Sequence, residues 1–260
     1  MPMHLMKTVL LTTALSILTS FAQAQKTVLH TNMQWFQYNT RTKLNDKLVL
    51  TADAGMRQRN ALRELAMWQL RAGLGYPIGS GFQGTTGIGA FTSYNKGIRN
   101  RTEIRLYQDI VRSTDLWKTS VQHRLRIEAR YFINRMETGA ATPTNFNFRF
   151  RYRLYTQTPV TSISAKHPER KLVFNLGDEI MVNAGSQIKY NRFDNNRLLI
   201  GPGLDWNRDL NISLNYVHQF GHRNQPDTYE ESNILWLNIT QRIGFHSGHA
   251  NTKNQMMDPH

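Results

Sequence analysis

The chain has 260 residues, no cysteine, and 32 lysines and arginines against 18 aspartates and glutamates, which gives a formal net charge of +14. This length is sufficient to bury a sizeable core. The lack of cysteine excludes a disulfide framework, a thiolate zinc site, a cysteine nucleophile and a lipid-modified N-terminal cysteine. The mean hydropathy of −0.52 excludes a bundle of membrane helices. It does not exclude a membrane β-barrel, whose strands are apolar on one face only.

Residues 1–24 predict a signal peptide. Lys7 precedes an apolar stretch over residues 8–21, and Ala22-Gln23-Ala24 fits a small-x-small cleavage site. The apolar stretch is too short to span a membrane, and the alternative is an uncleaved N-terminal anchor helix. We therefore expect a protein exported by a Gram-negative bacterium, with a mature chain that begins at Gln25.

Alternation of apolar and polar residues dominates the rest of the chain, as in strands with one apolar face. Most of the predicted strands have ten or more residues, whereas soluble strands average about five or six and strands that cross an outer membrane need about nine to eleven. Bacterial single-chain barrels have even strand numbers, so we expect a twelfth strand, for which residues 27–31 are the candidate. The eleven predicted strands cover residues 32–43, 47–59, 65–76, 84–94, 101–111, 118–132, 146–157, 171–182, 195–206, 210–220 and 233–245.

The connections between these strands predict an orientation. Asn45-Asp46 and the segment 207–209 are compact turn sequences. The connections 135–145, 185–194 and 221–231 are longer. Outer-membrane barrels keep short turns in the periplasm and long loops outside, so we expect the long connections to face the exterior.

The two faces of each predicted strand differ in polarity. In strand 146–157, for example, Phe148 and Phe150 alternate with Arg149 and Arg151. A soluble sandwich with outward arginines and a membrane barrel with inward arginines both produce this pattern. The export signal and the aromatic residues at the ends of apolar stripes favour the barrel. We predict an all-β fold: a transmembrane antiparallel up-and-down barrel of ten to twelve strands, with twelve favoured, over residues 25–245 and a flexible tail over 246–260.

In such a barrel the polar faces line the lumen. The predicted lumen-lining residues are Arg105, Arg124, Arg126, Glu128, Arg130, Arg149, Arg151, Arg153, Glu179 and Arg197. Further charges expected to point inward are Arg41, Lys43, Arg57, Arg59, Arg71, Arg242, Asp53, Glu103, Asp109 and Asp205. Cations exceed acids in this set. The lumen is therefore either a constricted, anion-favouring passage or a hydrogen-bonded polar core that stiffens the wall.

A series of segments, in this order, resembles the family known as domain of unknown function 2490. The segments are QWFQYNTRTKLNDKLVLTADAGMRQR, EIRLYQDIV, HRLRIEARYF, FRFRYRLYTQTP, GDEI, FDNNRLLIGPGL and LNYVHQF. The resemblance extends from about Gln34 to Ile243. It implies an exported, outer-membrane β-barrel. It implies no activity, and so no catalytic residue.

An enzymatic barrel needs a serine, a histidine and an orienting acid near the membrane rim. Ser213 and His218 lie on opposite faces of one strand by parity and cannot meet. The tail histidines His246, His249 and His260, with Asp258, form a conceivable metal site, although a tail without a site is the preferred interpretation.

We predict an outer-membrane β-barrel that is not an enzyme and has no catalytic residues, cofactor or metal. Its role is that of a narrow anion-favouring channel or a structural envelope protein. The alternative is a barrel enzyme that modifies outer-membrane lipid at the rim. The expected partners are outer-membrane lipid and lipopolysaccharide, periplasmic chaperones, the barrel-assembly machinery and small anions. Nucleic acid is not expected, because the cations are spread over most strands rather than gathered in one patch.

Overall fold

A computed structural model of the protein describes residues 26–134 and 145–245, which form a closed barrel of eleven strands. The strands are β1 (Thr27–Lys43), β2 (Val49–Arg59), β3 (Glu64–Gly79), β4 (Phe82–Asn95), β5 (Ile98–Leu116), β6 (Thr119–Asn134), β7 (Asn145–Ser162), β8 (Lys171–Ala184), β9 (Phe193–Asp205), β10 (Leu210–His222) and β11 (Thr228–Ile243). The described residues include no helix, and so none long and apolar enough to cross a membrane. The predicted signal peptide and the predicted tail lie outside the described residues.

The expectation of twelve strands is wrong. Each strand pairs with the next in antiparallel fashion, and β1 then pairs with β11 in parallel. Residues 27–31, the candidate for a twelfth strand, are the start of β1 and pair with residues 228–232. The parallel ladder gives both edge strands backbone partners from Thr27 to Thr42, so closure needs no further strand. An odd number of strands is therefore sufficient to close this barrel.

Because β1 and β11 are parallel, the two ends of the described chain lie at opposite rims. The N-terminal rim carries the start of β1 and the connections 60–63, 96–97, 185–192 and 223–227. The C-terminal rim carries the end of β11 and the connections 44–48, 80–81, 117–118, 163–170 and 206–209. The two compact turns lie at the C-terminal rim, and the described long connections 185–192 and 223–227 lie at the N-terminal rim. Connection length does not separate the rims cleanly, because 163–170 lies at the C-terminal rim and the short turn 96–97 at the N-terminal rim. Of the long connections, residues 135–144 are outside the described part of the chain.

The tight turns follow directly from local sequence. Ser80-Gly81 and Lys96-Gly97 have positive φ at both residues, which is the type I′ geometry that matches the twist of the flanking strands. The side chain of Asn45 accepts hydrogen bonds at 2.9 Å from the backbone N–H groups of Lys47 and Leu48. Such local bonds stabilise a turn without help from the rest of the barrel.

The outer surface of the barrel is apolar, and its interior is mostly polar. One cluster of apolar side chains is also buried inside: Trp35, Tyr155, Leu199, Val217, Ile234 and Trp236. Outward residues such as Leu70 and Leu125 are 55% and 58% exposed, whereas the inward Asn39 and Arg124 are 0% and 1% exposed. A soluble sandwich with its arginines on a wet outer surface is therefore wrong for this chain. The buried interior is the place where polar chemistry is concentrated.

Candidate functional site

All ten sequence-predicted lumen residues lie on the inner wall. Nine of them are buried, and Arg197 is half-buried. They come from β5 to β9, where inward positions follow the period of two. The barrel therefore gathers residues from five successive strands into one charged interior surface.

Three charged residues of the inner wall were missing from the prediction: Arg101, Asp194 and Glu230. Arg101 shares the inward parity of Glu103 and is the first residue of the predicted strand 101–111, so alternation alone was sufficient to find it. Asp194 has the parity of an outward residue, but the register between β8 and β9 shifts at this point, since Met181 pairs with Asn195 and Val182 with Phe193. This bulge turns Asp194 inward, where its carboxylate lies 3.0 Å from Arg149. Alternation alone carries no signal for such a shift.

Glu128 and Glu179 form the centre of the charged interior. The guanidinium of Arg151 donates to both carboxylates, at 2.7 Å to Glu128 and 2.8 Å to Glu179. Arg149 also donates to Glu128, at 2.7 Å, and Arg124 to Glu179, at 2.8 Å. Glu128 of β6 thus binds two arginines of β7, and Glu179 of β8 binds one arginine of β6 and one of β7. These bonds join β6, β7 and β8 by side chains as well as by the backbone ladder.

Glu103 extends the same network toward the N-terminal rim. It accepts hydrogen bonds from Arg105 and from Arg130. Arg105 also lies 3.9 Å from Glu128, so the two clusters are continuous. Removing one member of a buried network of this kind leaves an uncompensated charge, which typically costs about 3–5 kcal/mol.

Two further ion pairs lie elsewhere on the inner wall, between β5 and β6 and between β2 and β3. Arg126 donates to Asp109 and stacks over the ring of Tyr107 at 4.4 Å. Arg71 donates to Asp53 at 2.9 Å. Each of these four charged side chains thus has a partner of opposite charge, and all four are almost inaccessible to solvent.

The half of the lumen next to the C-terminal rim is filled. The ring of Tyr107 lies against Gly73 and Gly87, and a Cβ at Gly73 would be only 2.6 Å from the tyrosine oxygen. Asn39 donates to Asn238 across the parallel seam at 2.5 Å. The inward glycines of β3 and β4 thus leave room for large side chains from the neighbouring strands, and those side chains occupy the lumen.

The opposite half contains a cavity of about 350 Å³. It shares Arg101, Arg130 and Asp194 with a wider vestibule of about 670 Å³ that is bordered by the connections 185–192 and 223–227 of the N-terminal rim. One wall of the cavity is aromatic, with Trp35, Trp236 and Phe91 among its lining residues. The arginines that line it are Arg57, Arg59, Arg71, Arg101, Arg105, Arg130, Arg149, Arg151 and Arg197.

The residues considered for other chemistry do not converge. Ser213 is buried in the interior, whereas His218 is half-exposed on the outer face, 3.7 Å from Glu231. Within the described residues, no group of three or more histidines and carboxylates is placed to hold a metal ion. The tail residues His246, His249, Asp258 and His260 lie outside the described part of the chain.

Comparison with known proteins points to one family. No curated protein and no solved structure matches the chain. The family model described as "Protein of unknown function (DUF2490)" matches residues 32–230, which include most of the barrel from β1 into β11. This match confirms the resemblance drawn from the order of the sequence segments, and the chain therefore belongs to the DUF2490 family.

Proposed function

We propose that the protein is a structural barrel of the bacterial outer membrane, with a lumen that is closed toward the C-terminal rim and open as a vestibule at the N-terminal rim. The observation that carries the proposal is the distribution of side chains, apolar and exposed outside, charged and buried inside. In water, this distribution would leave a continuous apolar surface around the molecule. In a bilayer the same distribution of side chains is favourable, because the apolar outer surface contacts lipid.

The length of the apolar surface supports the same proposal. On β3, Trp68 lies near one rim and Tyr76 near the other, with Leu70, Ala72 and Leu74 between them on the outer face. Eight residues of strand extend about 26 Å, which is about 20 Å along the axis of a barrel with strands tilted by about 40°. Aromatic residues at both limits of an apolar band are typical of membrane interfaces.

The ion-pair network supports a structural role over that of an open pore. The carboxylates Glu103, Glu128 and Glu179 each bind at least two arginines, and the level below them is filled by Tyr107 and its neighbours. An interior held together in this way stiffens the wall. It leaves no described passage to the C-terminal rim.

The first test concerns the barrel in the membrane. A closed barrel resists detergent, because all its backbone groups are bonded internally. We expect unboiled protein to migrate faster than boiled protein on a detergent gel, and the protein to sediment with the outer membrane. Identical migration together with recovery in the soluble periplasmic fraction would contradict the proposal.

The second test concerns orientation. An epitope inserted at Gln225, in an exposed connection of the N-terminal rim, should be labelled by antibody on intact cells. The matched control carries the same epitope at Arg208, in the turn of the C-terminal rim, and should be labelled only after lysis. The reverse pattern would mean that the vestibule faces the periplasm.

The third test concerns conduction. Purified protein in a planar bilayer should give no steady open-pore current at moderate voltage, since Tyr107 and the side chains around it fill the lumen. The measurement is single-channel recording, with a known porin as the positive control. A steady anion-selective current would instead make the narrow channel the correct function.

A further inference from the structure

The cavity in the N-terminal half of the barrel has an excess of positive charge that the described residues do not neutralise. Seven of its nine arginines form ion pairs, with six carboxylates: Asp53, Glu64, Glu103, Glu128, Glu179 and Asp194. The other carboxylate of the lining, Glu230, pairs with Arg223 outside the cavity. At least three guanidinium charges therefore remain in a confined space of about 350 Å³.

Two of these arginines have no acidic partner. Among the described residues, no carboxylate lies within ion-pair distance of Arg57 or Arg101. Arg57 rests on the ring of Trp35, 4.0 Å from its centre, and donates weakly to Gln69 at 3.4 Å. Arg101 rests on the ring of Phe132, 5.3 Å from its centre. Both side chains are held in place by aromatic rings, while their charges face the cavity.

Trp35 and Trp236 form part of the cavity wall, and they are only 4% and 8% exposed. Their indole N–H groups are buried and have no hydrogen-bond partner among the described residues. Because these two nitrogens are inaccessible, a molecule in the cavity would contact the rings and not the N–H groups. The unpaired guanidinium groups therefore carry the preference for a ligand that is rich in acceptor oxygens.

From these observations we propose that the cavity binds a small multivalent anion, a molecule with at least two phosphate or carboxylate groups. At least three uncompensated guanidinium charges favour a ligand with more than one negative charge, and Arg57, on β2, and Arg101, on β5, are separated by two strands. A polymer cannot pass through the barrel, because the lumen is filled beneath the cavity. The vestibule provides access from the N-terminal rim, and the inference rests on the proposed function in so far as this rim faces the exterior.

The experiment is isothermal titration calorimetry of the full chain, folded in detergent, with pyrophosphate and citrate as probes and acetate as the monovalent control. We expect one pyrophosphate or one citrate to bind per barrel, and acetate to bind far more weakly. Preference between the two probes identifies the ligand class as phosphorylated or carboxylated. No saturable binding of either probe would overturn the proposal.

Variants locate the site. Arg57→Gln and Arg101→Gln should each weaken binding about tenfold or more, because a charge-assisted bond is lost. Thermal stability without the anion should stay equal or rise, because no ion pair is broken and repulsion among the arginines decreases. Arg208→Gln is the matched control, at an exposed position of the opposite rim, and should leave binding unchanged. Equal affinity in all three variants would overturn the assignment of the site.

The proposal can fail separately from the proposed function. A protein that shows the gel shift and the outer-membrane location but binds neither anion is a structural barrel without this site. The opposite outcome is binding of pyrophosphate or citrate that is lost with Arg57→Gln, in a protein recovered from the soluble fraction. That outcome would support the anion site and contradict the membrane location.

Discussion

Exchanging Arg126 and Arg151 together for glutamate is expected to prevent the barrel from folding, without producing any current in a bilayer. Arg126 pairs with Asp109, and Arg151 bridges Glu128 and Glu179. Breaking a buried ion pair typically costs about 3–5 kcal/mol, and reversal of the charge adds repulsion between carboxylates. The loss is comparable with the whole stability of many proteins, about 5–15 kcal/mol.

Folding is measured by the fraction of unboiled protein with the faster gel mobility and by urea titration in detergent micelles. The matched control, Arg63→Glu with Arg208→Glu, makes the same change of charge at exposed turn positions and should fold normally. The swap Arg126→Asp with Asp109→Arg should recover part of the stability lost in Arg126→Asp alone, because it restores an ion pair across the same two strands. A stable double variant with altered ion selectivity would show instead that the interior is an open, solvated pore.

An arginine in place of Leu125 is expected to destabilise the barrel in a bilayer by about 2–4 kcal/mol, the cost of a cation near the middle of a lipid-facing strand. Leu125 lies near the centre of β6 and is 58% exposed on the outer face. In a protein surrounded by water, a change at so exposed a position would alter the free energy of unfolding by only about 0.5 kcal/mol. The size of the effect therefore tests what surrounds the barrel.

The unfolding free energy of Leu125→Arg should be measured in lipid vesicles by denaturant titration. Leu116→Arg is the matched control, because Leu116 is equally apolar and 65% exposed but lies at the C-terminal rim. Its cost should be about 0–1 kcal/mol, since the depth in the bilayer determines the penalty. Equal effects of the two substitutions would contradict a membrane around the middle of the barrel.

The sequence alone was sufficient for most of the local structure. Strict alternation in long segments such as β7 identifies strands and assigns Arg149, Arg151 and Arg153 to one face, because successive side chains of a strand point to opposite sides. The asparagine turns were equally readable, since Asn45 bonds to backbone groups two and three residues away. These features depend on interactions within a few residues, and a single segment contains all the information that they need.

Only the tertiary structure decided how the strands close and which interior charges meet. The odd number of strands depends on the pairing of β1 with β11, whose partners are about 200 residues apart in the chain. The bulge that turns Asp194 inward is a property of two strands in register, and the filling of the lumen depends on Tyr107 meeting Gly73 and Gly87. Alternation fixes the face of a side chain but not its height relative to the next strand. The pairing of arginines with carboxylates, and the free charge left at Arg57 and Arg101, follow from that relative height.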